Sequence, residues 1–431
     1  MRPSACPGLW RIVSARDGGI CRVKLPCGQL SSAQAFAVAA AARRHAGGVI
    51  ELTNRANLQL RGVREERQHA LIETLLAAGL GARTPGGDDV RNLMVSPALG
   101  IDPDSLLEVA PLAENILASL QAQARFQQLS PKFALLLDGG ESAAMLDHPH
   151  DLWLSALAGD EPRFVFGLAG CPPRSGAERG AVAVVPAAHA LALVEAVLHV
   201  FLDGAQPQQT RMRHLLQTLP PERFVQQVQQ RLPCRLSPVP EGWRRRRVQA
   251  GAPLGLRPQM QPGLCSVGAM PALGRLRVEQ WSALAQLAAD HGDGTLRLTP
   301  WQGVLLPNIA RASAPGVLQT ARALGLTVEP GDPLARMIAC SGAAGCGKGL
   351  ADTKADALRL ARLLMAENAA PVDVHLSGCA RSCAAPHIAS FTLLAVADGR
   401  YDLYRRDEHR PGFGELMASH VDIEHACLLL R

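Results

Sequence analysis

The 431-residue chain has no run of the ~18 nearly uninterrupted apolar residues that a membrane-spanning helix needs, since its most apolar helical stretch, Ala190 to Leu202, is broken by Glu195 and His199. Met1 to Asp17 carries Arg2, Arg11 and Arg16 but lacks the apolar core and small-residue cleavage site of a signal peptide. A soluble, cytoplasmic protein with no membrane role is expected. Concentrated charge of one sign is missing too. Lys and Arg total 44 against 38 Asp and Glu, a net +6, which is too dilute for a nucleic-acid binder and suits an anionic small molecule or a protein partner. The one dense basic run, Arg244 to Arg247, reads as a solvated linker. In a reducing cytosol eleven cysteines do not form a disulfide framework, so any cluster of them reads as metal or redox ligands. With 48% apolar and 19% charged residues, the chain has material for about three compact units, which excludes a disordered tail.

What is present first is a repeat. Gln34, Ala37, Ala39, Ala42, His45 and Gly48 recur 246 residues later as Gln280, Ala283, Ala285, Ala288, His291 and Gly294, and Leu52-Thr53 recurs as Leu298-Thr299. In each copy a helical stretch (Ser31 to His45, Val278 to His291) ends at glycines and leads into a strand-like alternation (Val49 to Leu52, Thr295 to Leu298). Pro/Gly/Asp-rich Thr84 to Asp89 and the stretch Leu236 to Gly255 read as boundaries. Between them lie apolar strand runs such as Phe133 to Leu137 and a long helix around Ala187 to Leu202. A similar α/β character returns after residue 331, ending in a hairpin of Phe391 to Val396, the Asp398-Gly399 turn and Tyr401 to Tyr404.

Four of the eleven cysteines gather as Cys340-x5-Cys346 and Cys379-x3-Cys383. Between the pairs, Thr353 with Asp356 reads as a capping-box start to a helix through Ala366, and Val372 to Leu376 alternates like a strand, so each pair sits on a loop beside a rigid element. Gly342, Gly345, Gly347 and Gly378 let backbone amides approach sulfur. Four thiolates suit zinc or an iron–sulfur cluster, and a five-residue gap is wide for a zinc knuckle, which favours a four-iron (4Fe-4S) cluster. Cys6, Cys21, Cys27, Cys171, Cys234, Cys265 and Cys427 are scattered and read as packing residues. Gly342-x4-Gly347-Lys348-Gly349 nearly spells a nucleotide phosphate loop but lacks its Ser/Thr, so nucleotide hydrolysis is rejected.

The second constellation is basic. From Arg55 to Arg61 polar and apolar residues alternate, which predicts that Arg55, Asn57, Gln59 and Arg61 share one strand face; Arg91 and Lys132 add further cations. Such a face binds several carboxylates through bidentate guanidinium contacts. The alternative is a solvated sheet face. In the second copy the matching positions are Trp301, Gly303, Leu305 and Pro307, and that one-sidedness favours a ligand site.

These residues, with Arg91-Asn92 before Ser96-Pro97, with Pro131-Lys132-Phe133 and with the four cysteines in order, resemble the sulfite and nitrite reductase haemoproteins and their relative precorrin-3B synthase. The resemblance covers almost the whole chain. It implies an internally duplicated α+β fold, each half a ferredoxin-like half-domain followed by an α/β catalytic half-domain: residues 1–85, 86–240, 241–330 and 331–431, the last carrying the cluster. In the reductases Cys383 would bridge the cluster to a sirohaem, and Arg55, Arg91 and Lys132 match three of the basic positions around the bound anion.

One departure separates the two branches. The reductases follow Lys-Phe with a second lysine, and this chain has Ala134; losing a cation that supplies protons weakens six-electron reduction. The segment Ser377 to Pro386 and the strand Leu298-Thr299-Pro300-Trp301 also resemble the precorrin-3B synthase form. The resemblance then implies a monooxygenase that hydroxylates precorrin-3A at C20 with dioxygen and closes a γ-lactone in aerobic cobalamin biosynthesis. Its electrons would come from ferredoxin or from NAD(P)H through a reductase, and sirohaem would be present only in a reductase. That branch is also associated with a non-haem iron. Its ligands and the catalytic residues are not declared by the sequence. Asp147-His148-Pro149-His150-Asp151 has the composition such iron prefers, though a polar loop is the commoner meaning, and His375 and His387 near the cysteines read as structural.

Overall fold

The computed structural model describes residues 6–175, 180–245, 251–385, 389–407, 410 and 412–431. Arg246, Arg247, Pro386 and His387 lie outside the described residues. The two repeats fold alike down to individual hydrogen bonds. Helix Ser32–His45 is closed by a capping box in which Ser31 and Gln34 satisfy each other's amides, a device worth about 1 kcal/mol. Gln34 Nε2 then donates to Ala78 O, and in helix Val278–His291 Gln280 Nε2 donates to the equivalent Leu324 O. Three residues beyond each helix stands a glycine in the left-handed region, Gly48 or Gly294, whose amide returns to Ala42 O or Ala288 O.

Each half-domain builds an antiparallel four-stranded sheet and receives its fifth strand from the other copy. Arg275–Arg277 pairs with Val49–Leu52, and Gln29–Ser31 pairs with Thr295–Leu298. The helices of the two copies lie against each other, Trp281 Nε1 donating to Ala35 O at 2.8 Å. One apolar core therefore serves both half-domains, running from Leu9 to Val328.

The other two sheets repeat one topology. Strands Leu93–Met94, Leu135–Asp138, His150–Leu157, Arg163–Gly170 and Ala181–Pro186 run parallel, parallel, antiparallel, antiparallel. Met337–Ala339, Val374–Ser377, Phe391–Ala397, Arg400–Arg405 and Glu415–Val421 follow the same order and directions. Ala187–Gly204 is apolar and long enough to cross a membrane by length and composition. Its Leu193, Val197, Leu198 and Phe201 instead fill the core under the first of these sheets, and Glu195 accepts from Ser119 and Gln123.

Two local expectations need correction, and the boundary stretch Thr84 to Asp89 takes a definite form: Thr84 caps a short helix, Pro85–Val90, whose Asp88 and Asp89 are buried. Proline at the first helical turn and acids near its N-terminus favour that helix. The run Arg244 to Arg247 is not wholly solvated, because Arg245 is buried and forms a bidentate pair with Asp138. Helix Thr353–Ala366 is capped by Asp352, which frees the Thr353 hydroxyl for the cysteine loop.

Candidate functional site

The cysteine pairs lie at the carboxyl ends of the adjacent parallel strands Met337–Ala339 and Val374–Ser377, so one sheet edge presents both loops together. Cys340 Sγ receives amides from Gly342 (3.4 Å) and Gly378 (3.2 Å), with the Thr353 hydroxyl at 3.5 Å and donating to Cys340 O at 2.8 Å. A Cβ at Gly378 would lie 3.4 Å from Cys340 Sγ, and one at Gly342, whose φ is +57°, would lie 2.6 Å from Thr353 N. The glycines are thus required for the loops to close on sulfur. Burial, followed by the nearness of Cys379, Cys340 and Cys346, pushes the Cys383 thiol up, so the four sulfurs feel one another as charges. Among the described residues no three His, Cys, Asp or Glu side chains converge tightly enough to chelate a single ion. Thiols within electrostatic reach of Cys383, with two backbone amides aimed at Cys340 Sγ, fit an iron–sulfur cluster.

Beside these loops arginines gather. Asn54 Nδ2 donates to Ala384 O at 2.7 Å, which ties the turn carrying Arg55 to the loop carrying Cys383. Cys383 is the exposed member of the four and lies within electrostatic reach of Arg22. The Arg55 guanidinium has no hydrogen-bond or ion-pair partner among the described residues. Desolvation lowers it to about 10, with Arg211 and Arg22 adding repulsion and Asp151 opposing them. The side chain is half-buried. A desolvated cation with other cations around it is stabilised by an incoming anion.

The predicted strand face is only partly available to such an anion. Strand Leu58–Val63 places Leu58 and Leu60 in the core and Gln59 and Arg61 on the other face. Asn57 Oδ1 accepts from Leu25 N, and Gln59, in the amide orientation that satisfies both ends, accepts from Arg22 Nη2 (2.7 Å) and Nε (3.0 Å). Arg61 is committed to Asp17 and to Gly345 O. Its substrate-binding role is replaced by a structural one, because a central strand brings acids on neighbouring segments against it. Arg91 is buried with Nη2 on Asp88 and its Nε without a partner, while Lys132 is exposed.

Arg22 and Arg211 escaped the sequence reading. Arg22 could have been found from its ladder position opposite Gln59; Arg211, in a loop, gave no signal. Arg211 Nε binds Asp151 at 2.8 and 3.0 Å, and Asp151 also accepts the amides of Ala134 and Met212. Asp147 pairs with Arg174 at 2.6 Å. Both carboxylates of the 147–151 string are thereby engaged by arginines. The string is not a polar surface loop, since His148, His150 and Asp151 are buried. His375 is buried in the strand Val374–Ser377. Cys6 and Cys171 lie near Arg22 and Arg55, whereas Cys21, Cys265 and Cys427 are buried packing residues.

Residues 14–78 and 257–324 match the family model of the nitrite/sulfite reductase ferredoxin-like half domain, and 86–236 match the nitrite and sulphite reductase 4Fe-4S domain. Ferredoxin–nitrite reductase of Synechococcus elongatus is 33% identical over 399 residues, covering 87% of this chain and 76% of that protein. This chain belongs to the nitrite/sulfite reductase family. Precorrin-3B synthase of a Sinorhizobium species is 27% identical over 415 residues, covering 93% of this chain and 82% of its own length. The NirA protein of Mycobacterium tuberculosis shares the fold, with a TM-score of 0.76 at 22% identity over 94% of this chain and 78% of its own. The duplicated ferredoxin-like α+β architecture is the family's, as is the oxidoreductase class, and the family supports an iron–sulfur cluster. The four clustered cysteines lie beyond the matched segments, in the unit that repeats the topology of residues 86–236.

Proposed function

We propose that this chain is a tetrapyrrole monooxygenase of the precorrin-3B synthase type, hydroxylating precorrin-3A at C20 with closure of the γ-lactone. Position 134 carries the reading. Sulfite and nitrite reduction needs protons delivered to departing oxygen. Where the resembling reductases place a second lysine, this chain has buried Ala134, whose amide is bound by Asp151, itself held by Arg211. That carboxylate is committed to the Ala134 and Met212 amides and to Arg211.

The arginine cluster supplies what a polycarboxylate substrate requires. Arg55 and Arg22 would take acetate or propionate groups and exposed Lys132 would offer a further cation, while Arg91 is buried on Asp88. Holding the macrocycle by its edge brings one methine carbon of four to the reacting position. One oxygen atom of dioxygen becomes the C20 hydroxyl; the other leaves as water with two protons and two electrons from ferredoxin or from NAD(P)H through a reductase. A four-iron cluster on Cys340, Cys346, Cys379 and Cys383 would supply electrons singly. The ring A acetate then closes the lactone.

The higher identity to ferredoxin–nitrite reductase favours a second reading, a sirohaem reductase using the same arginines for the sirohaem carboxylates. Anaerobic purification with iron, sulfide and pigment analysis, then turnover of precorrin-3A under labelled dioxygen, separates the two. Label in the C20 hydroxyl and no stoichiometric sirohaem is expected. Bound sirohaem with rapid turnover of nitrite or sulfite would replace the proposal.

A further inference from the structure

A buried ionic knot underlies the Cys340–Cys346 loop, and the proposed reaction makes no use of it. Arg61 donates Nε and Nη2 to Asp17 at 2.8 and 2.7 Å, and Nη2 also reaches Gly345 O at 3.1 Å, one residue before Cys346. Its Nη1 stands 3.5 Å from Glu51. Glu51 is held in turn by Arg275 at 2.7 Å, on the strand exchanged from the other half-domain, and has Lys354 Nζ at 3.8 Å. Lys354 donates to Leu273 O at 2.7 Å and sits in the first turn of the helix that follows the cysteine loop.

Charge and access in this knot are unusual. The Arg61 and Lys354 side chains are 5% and 12% exposed. Burial alone would push Glu51 up, but Lys354, Arg61 and Arg275 together bring it below its ordinary value, so it stays ionised. Three cations therefore meet two carboxylates, and the knot carries net positive charge. Its cations face the thiols: Arg61 interacts electrostatically with Cys346, and Lys354 with Cys340. Gly345 leaves room for this, since a Cβ there would lie 2.7 Å from Arg61 Nη2.

We propose that Arg61, Lys354 and Glu51 are positioning residues that set the reduction potential of the iron–sulfur cluster by holding net positive charge against its Cys340–Cys346 limb. The inference rests on the four-cysteine cluster reading. Reduction adds one electron from the external donor and one negative charge to the cluster; no bond forms or breaks. Nearby positive charge favours the reduced form, and net charge is among the factors that set such potentials. Potential should thus follow the knot's charge in both directions, whichever residue changes it.

The test is a potentiometric titration followed by electron paramagnetic resonance on the anaerobically purified full chain, with iron and sulfide assayed in parallel. Lys354→Met should shift the midpoint negative, by about tenfold in the reduced-to-oxidised ratio at fixed poise, or ~59 mV for one electron. Glu51→Gln should shift it positive, and Lys354→Arg should restore the wild-type value. Asp17→Asn, at the exposed edge, should also shift it positive and serves if Glu51→Gln fails to fold. Unchanged potentials at full iron and sulfide content, or shifts of one sign in all variants, would overturn the proposal. Wild-type protein without iron and sulfide would instead overturn the cluster reading.

Discussion

Replacing Arg245 by Met tests how the two halves of the chain are joined. Arg245 Nε and Nη2 bind Asp138 at 2.6 and 2.9 Å, and Nη2 also binds Glu141 O at 2.7 Å. The two side chains of the pair are 3% and 0% exposed. Asp138 has further donors in Ser155 Oγ and Gly140 N, so the substitution leaves a buried carboxylate whose remaining partners are neutral. Breaking a buried pair from one side costs about 3–5 kcal/mol. Glu141 sets the pH dependence. Burial first, then Asp138, push its carboxyl above the ordinary 4.5, and Arg245 opposes them. A raised carboxyl stabilises the fold below its unfolded value and loses that contribution as pH rises through the folded one. Glu141 is already pushed up to about 8 and removing Arg245 raises it further, so the variant's deficit should be the same at pH 5.5 and 7 and grow only as pH rises through about 8 to 9. Urea unfolding followed by tryptophan fluorescence reports it locally, because Trp243 stacks on Trp153 with centroids 6.3 Å apart. Asp138→Asn added to Arg245→Met should recover part of the loss. A deficit under about 1 kcal/mol at pH 7.5, the scale of an exposed pair, would return the run to a solvated linker.

Arg55→Ala should weaken tetrapyrrole binding by ~1.5–3 kcal/mol, read by tryptophan quenching; equal affinity would make Arg55 a solvated side chain. Serine at Cys340, Cys346, Cys379 or Cys383 should reduce iron and sulfide content sharply, whereas serine at buried Cys427 should not; stoichiometric zinc in anaerobically purified protein would contradict both. His150, wholly buried, is held well below its ordinary 6.5 by desolvation, then by Arg55 and Arg211. Because the unfolded chain takes up that proton first, its contribution to stability is intact above 6.5 and falls by up to about 1.4 kcal/mol per pH unit below it. His150→Gln should flatten that acid slope in pH-dependent urea unfolding, and an unchanged slope would place the titration elsewhere.

What was legible in the sequence was local. The helices starting at Ser32 and Val278 and the strands Val49–Leu52 and Thr295–Leu298 follow from periodicity and end signals, and the cysteine loops follow from spacing. The exchange of Arg275–Arg277 and Gln29–Ser31 was not, because strand partners are chosen across more than 200 residues and leave no mark in either strand's alternation. Arg61 shows the consequence. Alternation placed it on the polar face, but only the fold brings Asp17, Glu51 and the Gly345 carbonyl against it and turns a candidate ligand group into part of a knot. Thr353 is a similar case: its position suggested a cap, and Asp352 caps instead while Thr353 serves Cys340.

The matching sheets explain why chemistry occupies only one of two equivalent places. Leu93–Met94 and Leu135–Asp138 are the topological counterparts of Met337–Ala339 and Val374–Ser377, so the loops after them stand where the cysteine loops stand in the other unit. There, Ala98, Ile101 and Ala143 pack with Leu305, the residue that repeats Gln59, in a small apolar core. Arg297, on the strand of the second repeat, is spent on the carbonyls of Pro97 and Leu99, and Trp301, the counterpart of Arg55, packs beside Trp153 and Trp243. Trp301 thus puts an apolar indole where the first copy has the Arg55 guanidinium. Duplication therefore supplies the frame twice, and among the described residues the apolar filling of one copy stands opposite the charged cluster of Arg55, Arg22 and Cys383 in the other.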